Sequence, residues 1–186
     1  MDPDEIMFNA EEGMEKAADY MTHEFATVRT GKASPSLVEG IDVEAYGSVM
    51  KLKQLALISS PEPRLLVINP FDASTTQAIE KAIKESNIGI QPSVDGKIIR
   101  LPIPALSEER RRDLVKTVKH IAEETRVRIR SARREAMDAL KKAQKEGAIT
   151  EDDLGKYEKD IQKLTDDYVK KVDESFTAKE ADIMKV

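Results

Sequence analysis

The chain has 186 residues and a formal net charge of −5, with 40% apolar and 35% charged residues, 4% aromatic residues, and neither cysteine nor tryptophan. That length allows one domain or two small ones, and the missing cysteines exclude disulfides, thiolate metal sites and a cysteine nucleophile. Few aromatics argue against a large aromatic-lined pocket, while the high charge content suits long exposed helices.

Residues 4–29 read as helix. Ile6, Ala10, Met14, Ala17, Met21, Phe25 and Val28 fall on one face at steps of three and four. The acidic start, Met1-Asp2-Pro3-Asp4-Glu5, lacks the basic and apolar parts of a signal peptide. No stretch reaches the length of a membrane span. The expectation is a soluble, cytoplasmic protein without a membrane partner.

A joint follows at Arg29-Thr30-Gly31-Lys32-Ala33-Ser34-Pro35. Beyond it the pattern changes. Ile41–Tyr46 alternates like a strand, and Gly47-Ser48 signals a turn. Leu55–Ile58 and Leu65–Ile68 are short apolar runs bounded by prolines. Ser74-Thr75-Thr76-Gln77 predicts a capping box that opens a helix through Ser86. Pro92–Lys97 reads as a loop or hairpin turn, and Ile98–Leu101 as a closing strand. A second joint is Leu101-Pro102-Ile103-Pro104-Ala105-Leu106.

Residues 107–146 return to helix, with Leu114, Val118, Ile121, Thr125, Ile129, Ala132, Ala136, Leu140 and Ala143 on one stripe. Ser107 is the expected N-cap and Gly147 the expected stop. Residues 151–184 repeat the pattern with Leu154, Tyr157, Ile161, Leu164, Tyr168, Val172, Phe176 and Ile183, behind a Thr150/Asp153 capping box. Three helices with one apolar stripe each bury those stripes most simply as a bundle. The predicted organisation is therefore a helical domain of residues 1–30 and 105–186, with a small α+β domain of residues 31–104 inserted into it. An insert must be entered and left at neighbouring points. Thr30, Gly31 and Lys32, with Pro102, Pro104 and Ala105, are the expected hinge.

Charge is distributed unevenly. Residues 106–146 hold thirteen basic and eight acidic side chains, whereas residues 1–31 hold two and eight. On the basic helix Arg112, Lys116, Lys119, Arg126, Arg130 and Arg133 form a row, interrupted once by Glu123 and widened by Arg128 and Arg134; Arg130 stands about 200° around the helix from Ala132 of the stripe, so the row is expected to face away from the bundle core. A row of guanidinium groups suits a phosphate backbone, because arginine donates paired hydrogen bonds to phosphate oxygens. The competing reading is an ordinary solvated face paired with nearby carboxylates. Catalytic readings are weak. His23 and His120 are the only histidines and have no partner at a metal-ligand spacing; no nucleotide-binding glycine motif is present. No enzyme activity, metal or cofactor is expected. An adaptor that docks partner helices is the alternative function.

Several stretches are similar to the ribosome recycling factor family of bacterial type. They are Val28–Leu37, Tyr46-Gly47, Ala78–Ile83, Asp95–Pro102, Leu106–Arg111, Arg130–Glu135 and Ile161–Asp166, colinear over nearly the whole chain. The resemblance implies an α+β fold: an elongated antiparallel three-helix bundle with an inserted β/α/β domain, arranged in an L like a transfer RNA. It implies a monomer that binds the large subunit of the 70S ribosome on 23S ribosomal RNA after termination. Together with elongation factor G and GTP it would split the ribosome, releasing messenger and transfer RNA, without bond chemistry of its own. It assigns RNA contact to Arg130 and Arg133, and to Arg29 near the joint. The chain carries Lys32 and Ser131 where the family usually has arginine and asparagine.

Overall fold

The computed structural model describes residues 2–185. Helix α1 (Pro3–Thr27) starts where sequence chemistry favours it: Asp2 accepts the Asp4 N–H at 3.1 Å, and Pro3 occupies the first turn. Ile6, Ala10, Met14, Ala17, Met21 and Phe25 of its stripe are all buried. Helix α4 (Glu108–Lys145) buries Leu114, Val118, Ile121, Thr125, Ile129, Ala136, Leu140 and Ala143. It also buries Ala122, which the stripe omitted, and leaves Ala132 only half-buried. After α4 the chain turns at Gly147 with φ of 76°, a left-handed value that a side chain would disfavour. The expected capping box then opens α5 (Glu151–Met184): Thr150 Oγ1 accepts the Asp153 N–H at 3.1 Å, and Asp153 accepts the Thr150 N–H at 3.2 Å.

The three helices pack on one another. Ile6 and Ala10 of α1, Ala136 and Leu140 of α4 and Ile161 of α5 share one cluster, so α4 runs antiparallel to both neighbours. The α5 stripe differs from expectation: Thr165 is buried where Leu164 was expected, and Leu154, Tyr157, Leu164 and Phe176 are half-buried. The Thr165 hydroxyl donates to the Ile161 carbonyl at 2.8 Å, and Thr125 in α4 donates likewise to Ile121 at 2.9 Å. A threonine satisfied by its own helix can occupy a core position that a polarity pattern assigns elsewhere.

The described residues divide into two compact units. The helices, up to Val28 and from Glu108 onward, form one; Arg29–Ser107 form the other. The division lies at the end of α1 and the start of α4, slightly outside the expected 30/31 and 104/105.

The second unit opens with a 3-10 turn at Pro35–Leu37 and a hairpin of β1 (Asp42–Ala45) and β2 (Ser48–Lys51). The strand β2 and the short helix α2 (Leu52–Leu55) were not legible in the sequence. A four-stranded antiparallel sheet follows, ordered β3-β4-β6-β5, from β3 (Ala56–Glu62), β4 (Leu65–Pro70), β5 (Ser93–Asp95) and β6 (Ile98–Pro102). Thus Pro92–Lys97 is not all loop: Ser93–Asp95 forms an edge strand paired with β6. Helix α3 (Thr76–Glu85) packs Ile79 and Ile83 onto a core that includes Leu66, Ile68, Ile99 and Leu101. The predicted Ser74 capping box is not formed. Asp72 caps instead, accepting the Ser74 N–H at 2.9 Å at the head of a 3-10 turn, Ala73–Thr75, that leads into α3. The Asp72 carboxylate also accepts the Tyr46 hydroxyl at 2.6 Å, which holds its pKa below the ordinary value and raises that of Tyr46.

Candidate RNA-binding face and joints

One helix, α4, carries the whole cationic row, and the structure sorts its members by environment. Each helical residue adds about 100°. Arg126 therefore stands about 100° from Thr125 and Arg130 about 100° from Ile129, both of these neighbours being fully buried. The row flanks the bundle core on the side of α5. It does not point directly away from the core, as the offset of Arg130 from Ala132 implied, because Ile129 is a nearer member of the buried stripe.

Arg126 is the clearest departure. Its side chain is only 18% exposed, and its Nε and Nη2 both donate to Asp173 Oδ1 on α5, at 2.9 and 2.7 Å. Its Nη1 reaches Glu123 at 3.1 Å. This arginine ties two helices together, and its donors are occupied. Arg133, half-buried, donates to Gln162 Oε1 on α5 at 3.2 Å, and Gln162 in turn donates to Asp166. Arg128 lies outside the row and stacks on Tyr20 of α1, 4.0 Å from the ring centroid.

The remaining members are presented to solvent. Arg130 is exposed and makes one long contact with Glu123, at 3.5 Å. Arg112 is exposed and bound to Glu108 one turn back. Lys116, Lys119 and Arg134 are exposed. Exposed pairs of this kind contribute little to stability and separate readily for a phosphate. Elsewhere the bundle is acidic: burial raises the Tyr168 pKa, and Glu15, Glu11 and Asp19 of α1 raise it further. The helical unit thus carries positive charge on α4 and negative charge on α1.

Arg29, assigned by resemblance, lies in the second unit and is half-buried; one guanidinium nitrogen is out of water with no hydrogen-bond partner among the described residues. Among the described residues, neither histidine belongs to a cluster that could hold a metal. His23 is exposed, and His120 faces Glu124 at 3.9 Å.

At the joints, Gly31 has φ of 82°, where any L side chain is strained, and Leu106 lies beside it. Both chain segments are fastened to one turn. Ala33 N–H donates to the Pro63 carbonyl at 2.7 Å, and Ile103 N–H to the Arg64 carbonyl at 2.8 Å. The insert is therefore entered and left at adjacent points. Pro102 is the last residue of β6, in register with Leu65, so it belongs to the sheet and not to a bending segment. Thr30, Gly31 and Lys32 lie before the fastened Ala33; Pro104 and Ala105 lie after the fastened Ile103.

Comparison with known proteins agrees with this architecture. The family model described as "Ribosome recycling factor" matches residues 21–184. A ribosome-recycling factor of Akkermansia muciniphila is 57% identical, with all of both chains covered. One from Rubrobacter xylanophilus is 50% identical over 96% of each chain. A solution structure of a ribosome recycling factor superposes with a TM-score of 0.79 at 42% identity, covering 100% of this chain and 99% of the other. A second structure shows the T. thermophilus ribosome recycling factor and the E. coli elongation factor G bound to the E. coli post-termination complex. It gives a TM-score of 0.67 at 42% identity, covering 99% of this chain and 100% of the other. The chain belongs to the ribosome recycling factor family.

Proposed function

We propose that this protein recycles ribosomes after termination, binding the large subunit through the exposed cations of α4 and splitting the 70S particle together with elongation factor G and GTP. The observation that carries the reading is the exposed row of Lys116, Lys119, Arg130 and Arg134 on one long helix of an otherwise acidic protein. A rigid cationic rod suits structured RNA, which is recognised by shape and backbone more than by sequence. The 23S ribosomal RNA is the target that family membership suggests. The related T. thermophilus factor is placed with elongation factor G on a post-termination complex. The segment Ala33–Ile103, fastened to one turn near both of its ends, can move as one body about Thr30–Lys32 and Pro104–Ala105. Elongation factor G would push that body while α4 stays on RNA. The protein would act in the cytoplasm as a monomer and break no covalent bond itself.

The adaptor alternative loses support, because most of each helix's apolar stripe is buried within the bundle. The test is subunit splitting followed by light scattering. Post-termination ribosomes given this protein, elongation factor G and GTP should dissociate; omission of any one should leave them whole. Dissociation without elongation factor G, or none with all three, would reject the reading.

A further inference from the structure

Beside the N-terminal half of the row, α4 and α5 leave an open trough of about 500 Å³, lined by Val115, Phe176, Met184, Glu180 and the cations Arg112, Lys116 and Lys119. The lining comes from two facing ridges. Positions 112, 115, 116 and 119 share one face of α4, and 176, 180 and 184 share one face of α5. Elsewhere on α5, Ile161, Thr165, Tyr168 and Val172 are buried against the bundle. At this end the apolar residues stay accessible: Phe176 and Val115 are half-buried, and Met184 is 40% exposed.

We propose that this trough receives a single unpaired nucleotide of RNA, its base against Phe176 and its phosphate on Lys116 and Lys119. The proposal rests on the reading of α4 as the RNA-binding face and deepens it. An aromatic ring in the α5 wall and cations along the α4 wall are the two parts of a stacking site for single-stranded RNA. Three cations face one carboxylate, so the rim is complementary to phosphate. The Glu180 carboxylate on the opposite wall is an acceptor, which suits the exocyclic amino group of adenine, cytosine or guanine and disfavours uracil at that edge. A paired base cannot enter, because it is stacked within its own duplex; a bulged or looped one can. The row would then have two functions: Arg130 and Arg134 follow the backbone, and the trough selects an extruded base.

The test is methyl NMR of the full chain titrated with two RNA hairpins that differ only by one bulged adenosine. Both hairpins should bind with an affinity that falls as salt rises. Only the bulged one should move the Val115 and Met184 methyl signals upfield, as a stacked base would, and it should bind about tenfold more tightly. Phe176→Leu should reduce that preference to within twofold and leave the paired hairpin's affinity unchanged. Should that variant fail to fold, the exposed pair Lys116→Glu and Lys119→Glu should weaken the bulged hairpin at least tenfold. Equal affinity for the two hairpins, or unmoved methyls, overturns the trough and leaves the RNA-binding face standing. Failure of both hairpins to bind at low salt overturns both. An acidic amphipathic peptide that moves these methyls when bulged RNA does not would make the trough a protein site and overturn the proposal.

Discussion

The side chains of Thr150 and Asp153 each accept the other's backbone N–H and thereby start α5. Thr150→Ala should cost about 1 kcal/mol in urea denaturation, the usual cost of losing a helix N-cap. The Thr150 N–H, followed by its hydroxyl, holds the Asp153 pKa below the ordinary value. A carboxylate with a depressed folded-state pKa contributes stability at pH values above its unfolded pKa of about 4. That contribution is lost as pH falls through the folded-state value. Asp153→Asn should therefore flatten the decline of stability below about pH 4, measured as the midpoint of urea unfolding against pH. A second residue-scale contrast separates Arg126 from Arg130. Arg126→Ala breaks the tie to Asp173 and should cost about 1 kcal/mol of stability while leaving RNA affinity unchanged. Arg130→Ala should do the reverse. Equal effects of the two variants on RNA binding would show that the Arg126 donors are released on the ribosome.

At the scale of the element, α4 has two faces about a quarter turn apart, one built into the bundle and one proposed to meet RNA. Its stripe holds the bundle, and the exposed members of the adjacent row, Lys116, Lys119 and Arg130, are presented to solvent. The double variant Arg130→Ala with Arg133→Ala should fold normally and bind the large subunit more weakly, by about 1.5–3 kcal/mol for each charge-assisted hydrogen bond removed. Its affinity should also fall less steeply with salt, because fewer counterions are released on binding. Ribosome binding measured across a salt series checks both. Lysine at the two positions should restore only part of the affinity, since an ammonium cannot offer the paired donors of a guanidinium. An unchanged affinity and slope would return the row to the status of a solvated face.

Two separately packed units, joined by two crossings at neighbouring points, set the behaviour of the whole molecule. Each unit has its own apolar core. Replacing residues 31–104 by a short glycine-serine link should leave a helical protein that melts cooperatively by circular dichroism; a broad, non-cooperative melt would mean that the bundle depends on the insert. Gly31→Val forces a branched side chain into a left-handed conformation while meeting Leu106 only at ordinary contact distance. The strain therefore falls on the backbone of the crossing. Large-subunit binding should survive in this variant, and subunit splitting with elongation factor G should slow. Equal losses of binding and splitting would place Gly31 in the binding surface itself.

What the sequence by itself determined are the features carried by local periodicity. The stripes of α1, α4 and α5, the Thr150 cap, the stop at Gly147 and the excess of positive charge on α4 are all features of local sequence, most of them set within about one helical turn. The colinear family motifs added the architecture as a whole. Only the tertiary structure decided the rest, because it depends on what lies opposite. β2 and β5 are short and largely exposed, so only their pairing with β1 and β6 marks them as strands. Asp72 displaced Ser74 as a cap because the chain turns into a 3-10 segment before α3. Thr165 entered the core because a carbonyl four residues back satisfies its hydroxyl. Arg126 and Arg130 share a row, yet the proximity of Asp173 on α5 commits one to the bundle and leaves the other to solvent. Spacing along one helix places a charge on a face; only the neighbouring helix decides whether that charge is already paired.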